Sequence, residues 1–285
     1  MTPSQAADAG QDPPPWSRPI FRWAGSKKGV LHLLRQCAPS SYNRYIEPFA
    51  GSACLFFALN PRRAVLADFN AELMHAYRVL AMHPRIVTRT ATGLPEDDTD
   101  YYAIRAIDPD GLSEIDRAAR FLYLNRHCFN GVYRTDRKNR FNVPRGTRAG
   151  QPLSEAEAVR CSLALRRSEL LTGDFDATLA KARRDDFVYI DPPYTSTSRT
   201  TYGEYGYGAF ATADVERLVT RLHSLTALGA KVLFSYAVDE EVIRALKGWN
   251  IASVPVRRRV AGGSRSSQAF EILASNFAAI PQRTG

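Results

Sequence analysis

The stretch FVYIDPPYTSTS, Phe187 to Ser198, decides how the rest of this chain is read. Its opening residues are apolar or β-favouring and predict a buried strand. The run stops at an acid, two prolines and a tyrosine. Proline lacks a backbone N–H and ends strands, so the plainest reading is a strand-ending turn. The same residues also suit chemistry. With no N–H on Pro193, a rigid turn can leave the Pro192 carbonyl pointing into a pocket beside the Asp191 carboxylate. Two acceptors facing one point match a planar –NH₂ group with both hydrogens engaged. Tyr194 offers an aromatic face on which a base can stack.

Working outward, three more short apolar runs predict buried strands: Tyr45 to Phe49 (YIEPF), Ala64 to Phe69 (AVLADF) and Lys231 to Tyr236 (KVLFSY). Helical patterns alternate with them: CLFFALN, AELMHAYRVLAMH and TADVERLVTRLHSLTALG. Such alternation predicts an α/β fold with a parallel sheet covered on both faces. WNIASVPVRRRV and AFEILASN predict a closing pair of strands joined by the turn-rich AGGSRSS. The alternation breaks between about Met82 and Ser168, where mainly helical patterns and a basic, turn-rich stretch predict an insertion with a small core of its own. The expected organisation is therefore a disordered tail over 1–18, a catalytic domain over 19–81 and 169–278, an insertion over 82–168, and a short tail over 279–285.

The formal net charge is +9, which favours an acidic partner, nucleic acid first. Much of it is local. From Arg117 to Arg148 there are nine lysines and arginines against the single acid Asp136. Such a run is often just a solvated face, but Phe121, Tyr123, Phe129, Tyr133 and Phe141 interleave with it, as in nucleic-acid surfaces. Cys37, Cys54, Cys128 and Cys161 are widely spaced, with neither a zinc pattern nor a compact disulfide framework. Reduced thiols in a cytoplasmic protein are expected. The first residues show no signal-peptide pattern, and no apolar run is long enough to span a membrane.

The first predicted strand ends in EPFAGSAC, with Gly51 at the turn into the helix. Ligands of open α/β sheets sit beyond the carboxyl ends of the strands, where glycine permits close backbone approach. Asp68 ends the next strand, a position from which an acid can accept ribose hydroxyls. Neither a phosphate loop nor a zinc helix is present, so a nucleoside without a polyphosphate is the expected ligand. No serine elbow supports a hydrolase triad.

These residues add up to a known pattern. FRWAGSKKGVL, EPFAGSACLFF, LADFNAEL, FLYLNRHCFNGVYRTDRKNRFNVPRG, TGDF and VYIDPPY occur in the order found in the Dam-like DNA adenine methyltransferases, and over about Phe21 to Asn276 the chain resembles that family. The resemblance implies a Rossmann-like catalytic sheet with a helical DNA-recognition insertion. It also implies transfer of a methyl group from S-adenosylmethionine to the exocyclic amine of adenine in double-stranded DNA, without a metal, by a monomer or weak dimer. Asp191, Pro192, Pro193 and Tyr194 would be catalytic. Trp23, Lys27, Phe49, Gly51, Asp68, Asp174, Phe175 and Asp191 would hold the cofactor. Arg22, Asn130 and Arg134 would approach bases or phosphates, and Arg137, Lys138, Arg140 and Arg148 would contact phosphates.

Plainer readings stand beside these: Trp23 as core, Lys27 as a solvated cation, Asp174 as a helix cap, the basic residues as aids to solubility. Departures from the family pattern are Ala53, where a second glycine is frequent, Ser235–Tyr236 in place of serine–asparagine, and RTDRKN. GATC is the leading expectation for the target. A cytosine exocyclic-amine methyltransferase and a catalytically silent DNA-binding relative are the alternatives. Thr195 to Phe210, with three tyrosines and several glycines, is expected to close over the extruded base.

Overall fold

The computed structural model describes residues 18–136, 138–194, 210–259, 266–278 and 280. Residues 195–209 of the expected closing segment, most of the AGGSRSS turn, Arg137 and nearly all of both expected tails lie outside them. Arg18, assigned to the N-terminal tail, donates to Glu157 at 2.9 Å and to the Pro152 carbonyl at 3.0 Å.

Seven strands form one sheet: β1 (Tyr45–Glu47), β2 (Ala64–Asp68), β3 (Ser168–Thr172), β4 (Phe187–Ile190), β5 (Lys231–Ala237), β6 (Asn250–Arg259) and β7 (Ser266–Ser275). Their spatial order is β3-β2-β1-β4-β5-β7-β6. Neighbours from β3 through β5 are parallel, and β7 is antiparallel to both β5 and β6. The chain runs outward from β1 through β2 to β3, then returns to β4 on the other side of β1. That reversal leaves a crevice beyond the carboxyl ends of β1 and β4, the topological switch point at which doubly wound Rossmann-like sheets take their ligands.

The helices are α1 (Leu31–Cys37), α2 (Cys54–Leu59), α3 (Ala71–Met82), α4 (Pro84–Thr92), α5 (Asp98–Ala106), α6 (Glu114–His127), α7 (Glu155–Leu165), α8 (Phe175–Leu179), α9 (Thr212–Leu228) and α10 (Glu240–Ala245). Strand side chains alternate between two cores, as the two-residue period requires. Tyr45, Leu66, Phe187, Tyr189, Leu233 and Leu273 bury with α1, α2 and α3. Ile46, Val65, Val188, Ile190, Val232, Phe234 and Ile272 bury with α8, α9 and α10. Both faces are covered, as the apolar runs predict.

Helix starts follow local chemistry. Asn70, Asp97 and Ser113 accept bonds from the first-turn N–H groups of α3, α5 and α6, and Ser154 forms a reciprocal capping box with Glu157 at α7. Caps of this kind contribute about 1 kcal/mol each.

Two expectations change, and one strand is added. YIEPF is a strand only as far as Glu47, because Pro48 cannot donate to the ladder. SELLT forms β3, which carries no continuous apolar run because it is the half-buried edge of the sheet. Finally, the long helices of the 82–168 segment are only partly self-contained. Tyr101, Ile104, Tyr123, Leu124, Cys128 and Val143 make a small core, while Ala118, Phe121, Ala158, Cys161 and Leu165 join the larger one against α3. Within the larger core Phe21 links α3 to α6, edge-on to Tyr77 at 5.0 Å and to Phe121 at 5.1 Å.

Ala53 adopts the left-handed region at φ 49° just before α2. A side chain there costs roughly 1–2 kcal/mol relative to glycine, partly offset by the greater freedom glycine has when unfolded. Ala53→Gly is therefore expected to raise stability by up to about 1 kcal/mol in chemical denaturation. A loss of similar size would contradict the assigned backbone.

Candidate active site

The crevice at the switch point is a pocket of about 340 Å³, within the range of small-molecule sites. Trp23, Lys27, Phe49, Gly51, Asp68, Asp174, Phe175, Asp191, Pro192, Pro193 and Tyr194 all line it. These residues come from five separate segments of sequence, and the sheet's carboxyl edge is what brings them together.

One end of the pocket is built on glycine. Gly51 has φ +46°, and a Cβ at that position would lie 2.7 Å from Trp23 Cδ1, so backbone conformation and close packing both exclude a side chain. Its N–H donates to Asp68 Oδ2 at 2.9 Å, and Asn70 N–H donates to Oδ1 at 2.9 Å. Burial raises the Asp68 carboxyl while these backbone donors oppose the rise. With the Phe69 N–H as a third donor, the carboxylate keeps acceptor capacity for a hydroxyl. Phe49 packs on Phe175 at 5.4 Å, and Phe210 meets both rings. Asp174 is indeed a helix cap, accepting from Asp176 N–H, and it also pairs with Arg217 at 2.7 Å. The same guanidinium lies 4.7 Å above the Phe175 ring.

The other end is ionic. Lys27 is buried, contrary to its plain reading as a solvated cation. Its Nζ lies 2.9 Å from Asp191 Oδ1 and 3.1 Å from Glu271 Oε2, and donates to the Tyr194 hydroxyl at 3.1 Å. Tyr194 in turn donates to Glu271 Oε1. Burial alone would lower the Lys27 pKa, but Asp191, Tyr194 and Glu271 together raise it above the ordinary lysine value. Burial pushes the Asp191 carboxyl up to about 6 against the pull of Lys27, and the negative charge of Glu271 adds to the rise. Burial likewise raises the Tyr194 hydroxyl. Tyr236, the departure noted after Ser235, is buried and packs on the Tyr194 ring at 5.7 Å.

Glu47 and Glu271 carry no expected role, yet both are buried at this edge. Burial drives the Glu47 carboxyl well above its usual range, and Tyr45 donates to it at 2.9 Å. The signal was present: each is a lone acid in a short, otherwise apolar run, YIE and FEILA, and buried acids need partners.

The insertion reaches the pocket through Arg22 and Trp23. Arg22 N–H donates to Asn125 Oδ1 at 2.9 Å, and Asn125 Nδ2 returns a bond to the Arg22 carbonyl at 2.7 Å. Trp23 stacks on Tyr133 at 5.7 Å. The Arg22 side chain crosses Gly131 and Gly150, where a Cβ would come within 2.3 Å and 2.9 Å of it, and donates to the Arg126 carbonyl. Beyond lies the basic stretch. Arg134 bonds Asn142 at 2.8 Å, and Asn130 is exposed in a left-handed conformation. Lys138, Arg140 and Arg148 are exposed. Asp136 organises the turn by accepting from Lys138 N–H and from Arg140, whose hydrogen bonds hold its carboxyl down at about 2. None of these DNA-contact candidates lines the pocket.

Among the described residues, no group of three or more His, Cys, Asp or Glu side chains is placed to hold a metal. No helix there is long and apolar enough to cross a membrane.

Residues 23–260 match a family described as D12 class N6 adenine-specific DNA methyltransferase. A type II methyltransferase of Lactococcus lactis subsp. cremoris, M1.LlaDCHI, is 33% identical over 273 residues, spanning 91% of this chain and 95% of that protein. M.MjaIII, a type II methyltransferase of Methanocaldococcus jannaschii, is 28% identical across 91% of this chain and 99% of its own length. A DNA adenine methylase of Vibrio cholerae is 28% identical, with 90% and 95% covered.

The raised pKa of Asp191 has a consequence for stability. Its folded value, about 6, exceeds its unfolded value, so the buried carboxylate costs stability above pH 6, and that cost disappears below pH ~4, where both states are protonated. Asp191→Asn is therefore expected to stabilise the protein by about 1–3 kcal/mol at pH 8 and by nothing at pH 4. Thermal melts across that range check it; an Asn variant less stable at pH 8 than at pH 4, relative to the parent, would contradict it.

Proposed function

The chain belongs to the D12 class N6 adenine-specific DNA methyltransferase family, and from that premise we propose how its residues carry out the transfer. The observation that carries the reading is that one pocket holds both the acid–proline–proline–tyrosine turn and the Gly51–Asp68 end, side by side at the switch point.

The residues fit S-adenosylmethionine. Asp68 retains acceptor capacity for the ribose hydroxyls, Phe49 and Phe175 offer apolar faces to the adenine ring with Asp174 beside them, and Trp23, Gly51 and Lys27 line the space between. The Asp191 carboxylate, only partly neutralised by Lys27, suits a sulfonium. When bound, this cofactor supplies a methyl group already activated on sulfur, which the target nitrogen takes directly and in line.

The target base is stacked inside a duplex and must be extruded, at a cost of a few kcal/mol. Tyr194 stacks on the extruded adenine and restores part of that loss. Asp191 and the Pro192 carbonyl accept the two amine hydrogens. They draw the nitrogen toward pyramidal geometry and release its lone pair from the ring. Pro193 keeps the turn rigid, so the acceptors need no reorganisation during the reaction. Catalysis here is positioning and electrostatics.

Recognition belongs to the insertion and to Arg22, which packs against it. Arg22, Asn130 and Arg134 approach base edges, where a bidentate arginine discriminates by about 1–3 kcal/mol. Lys138, Arg140, Arg148 and Arg137, the last outside the described residues, contact phosphates. GATC is the sequence we propose to test first, with the protein acting in the cytoplasm as a monomer or weak dimer on double-stranded DNA.

Incubation with labelled S-adenosylmethionine and duplex DNA, followed by digestion to nucleosides, is expected to yield N6-methyladenine. Asp191→Ala abolishes the product, and Tyr194→Phe, which keeps the ring, loses less rate than Tyr194→Ala. Wild-type turnover by Asp191→Ala would overturn the mechanism. Separately, Lys138→Ala is expected to weaken binding to all duplexes alike and to lower the slope of log affinity against log salt by about 1. A change confined to one DNA sequence would reassign Lys138 to base reading.

A further inference from the structure

Glu271 has no part in the reaction as described, yet it touches two of the groups that do. It lies on β7, opposite Ala237 at the end of β5. Because β7 runs against β5, the first of its residues to pair with that strand is delivered to the carboxyl edge where the parallel strands end. Strand alternation puts Glu271 on the same face as Leu273, the face that also buries Tyr189 two residues before Asp191. Its two oxygens are divided: Oε1 accepts from the Tyr194 hydroxyl, and Oε2 faces Lys27 Nζ at 3.1 Å, with Ser235 Oγ at 3.5 Å.

We propose that Glu271 is a positioning residue for methyl transfer: it holds the Tyr194 hydroxyl, and so the plane of the ring on which the extruded base stacks, and it shares the Lys27 ammonium, so that Asp191 remains a strong acceptor for the amine. The inference rests on the roles given above to Asp191 and Tyr194. Two carboxylates divide one cation in this site. If Glu271 were neutral, Lys27 would be committed to Asp191 alone, and its ammonium would compete with the amine for that carboxylate. The phenolic oxygen lies on the axis of the tyrosine's last torsion, which is otherwise broad, but its O–H bond prefers the plane of the ring, so a hydroxyl that donates to Glu271 while accepting from Lys27 favours one ring plane. A Glu271 that merely filled the core would affect folding and leave these relations untouched.

The charged and titratable groups facing Asp191 are Lys27, from the turn before α1; Tyr194, from its own turn; Glu271, from β7; Glu47, from β1; Tyr189, from β4; and Cys54, from α2. Glu271 is the one of these whose charge raises Asp191 while its other oxygen holds Tyr194.

The test uses the whole chain, an unmethylated duplex carrying its target site, and the same duplex with 2-aminopurine at the target adenine. Wild-type protein must first form N6-methyladenine and brighten the probe; failure there removes the proposed mechanism itself rather than the role of Glu271. Glu271→Gln, isosteric but uncharged, is then expected to lower kcat about tenfold while the Kd for S-adenosylmethionine changes less than about twofold. The acid limb of its pH–rate profile moves to lower pH, and the extruded probe, less firmly stacked on Tyr194, emits more strongly than in the wild-type complex. Glu271→Ala combined with Tyr194→Phe loses less than the product of the single losses, because the two act through one contact. If Glu271→Ala fails to fold, Glu271→Gln combined with Tyr194→Phe serves the same comparison. Wild-type kcat, acid limb and probe emission in Glu271→Gln, or losses that simply multiply, would overturn the proposal.

Discussion

A single ammonium organises the reactive end of this protein. Lys27 Nζ is shared by Asp191, Glu271 and Tyr194 in a site where all four side chains are largely withdrawn from water. Two carboxylates this close cannot both stay ionised without a cation between them. Burial of a carboxylate is tolerated only when its charge is compensated and its oxygens are bonded. Lys27 meets that condition while leaving Asp191 only partly neutralised, as its pKa of about 6 reflects. The carboxylate is therefore ionised at physiological pH but remains a strong acceptor.

Holding Lys27 there requires the rest of the molecule. The segment from Arg22 to Lys27 has little regular structure of its own. Asn125 bonds both the N–H and the carbonyl of Arg22, and Tyr133 stacks on Trp23. Ser26 meets Cys54 at 3.1 Å, and Ser52 bonds Ser26. The insertion and the loop after β1 thus clamp the segment from two sides. Arg22 faces the basic stretch and Lys27 faces the pocket, so the contacts that position one position the other.

Much of this was legible in sequence because the signals were local. FVYI is fully buried between parallel neighbours and VLFSY is buried between β4 and β7, and such central strands read as nearly continuous apolar runs. DPPY marks where one stops, and the Gly51 turn and Asp68 sit at strand ends by spacing alone. SELLT escaped because an edge strand is half exposed and lacks that run. Lys27 is ambiguous in sequence: a lysine beside another lysine reads as solvated until three partners from distant segments are seen around it. The partners of Glu271 were hidden by strand direction, since only the antiparallel placement of β7 brings its middle residues to the carboxyl edge. The cap role of Asp174 and its place on the pocket wall proved compatible, although sequence reasoning set them against each other.

The most direct measurement of the central claim, that the target base leaves the duplex and lies against Tyr194, is photocrosslinking. A duplex with 5-iodouracil in place of the target adenine, irradiated in complex with the protein, is digested and the linked peptide mapped by mass spectrometry. The account predicts a crosslink at Tyr194. Crosslinks confined to the insertion, with none at Tyr194, would contradict it.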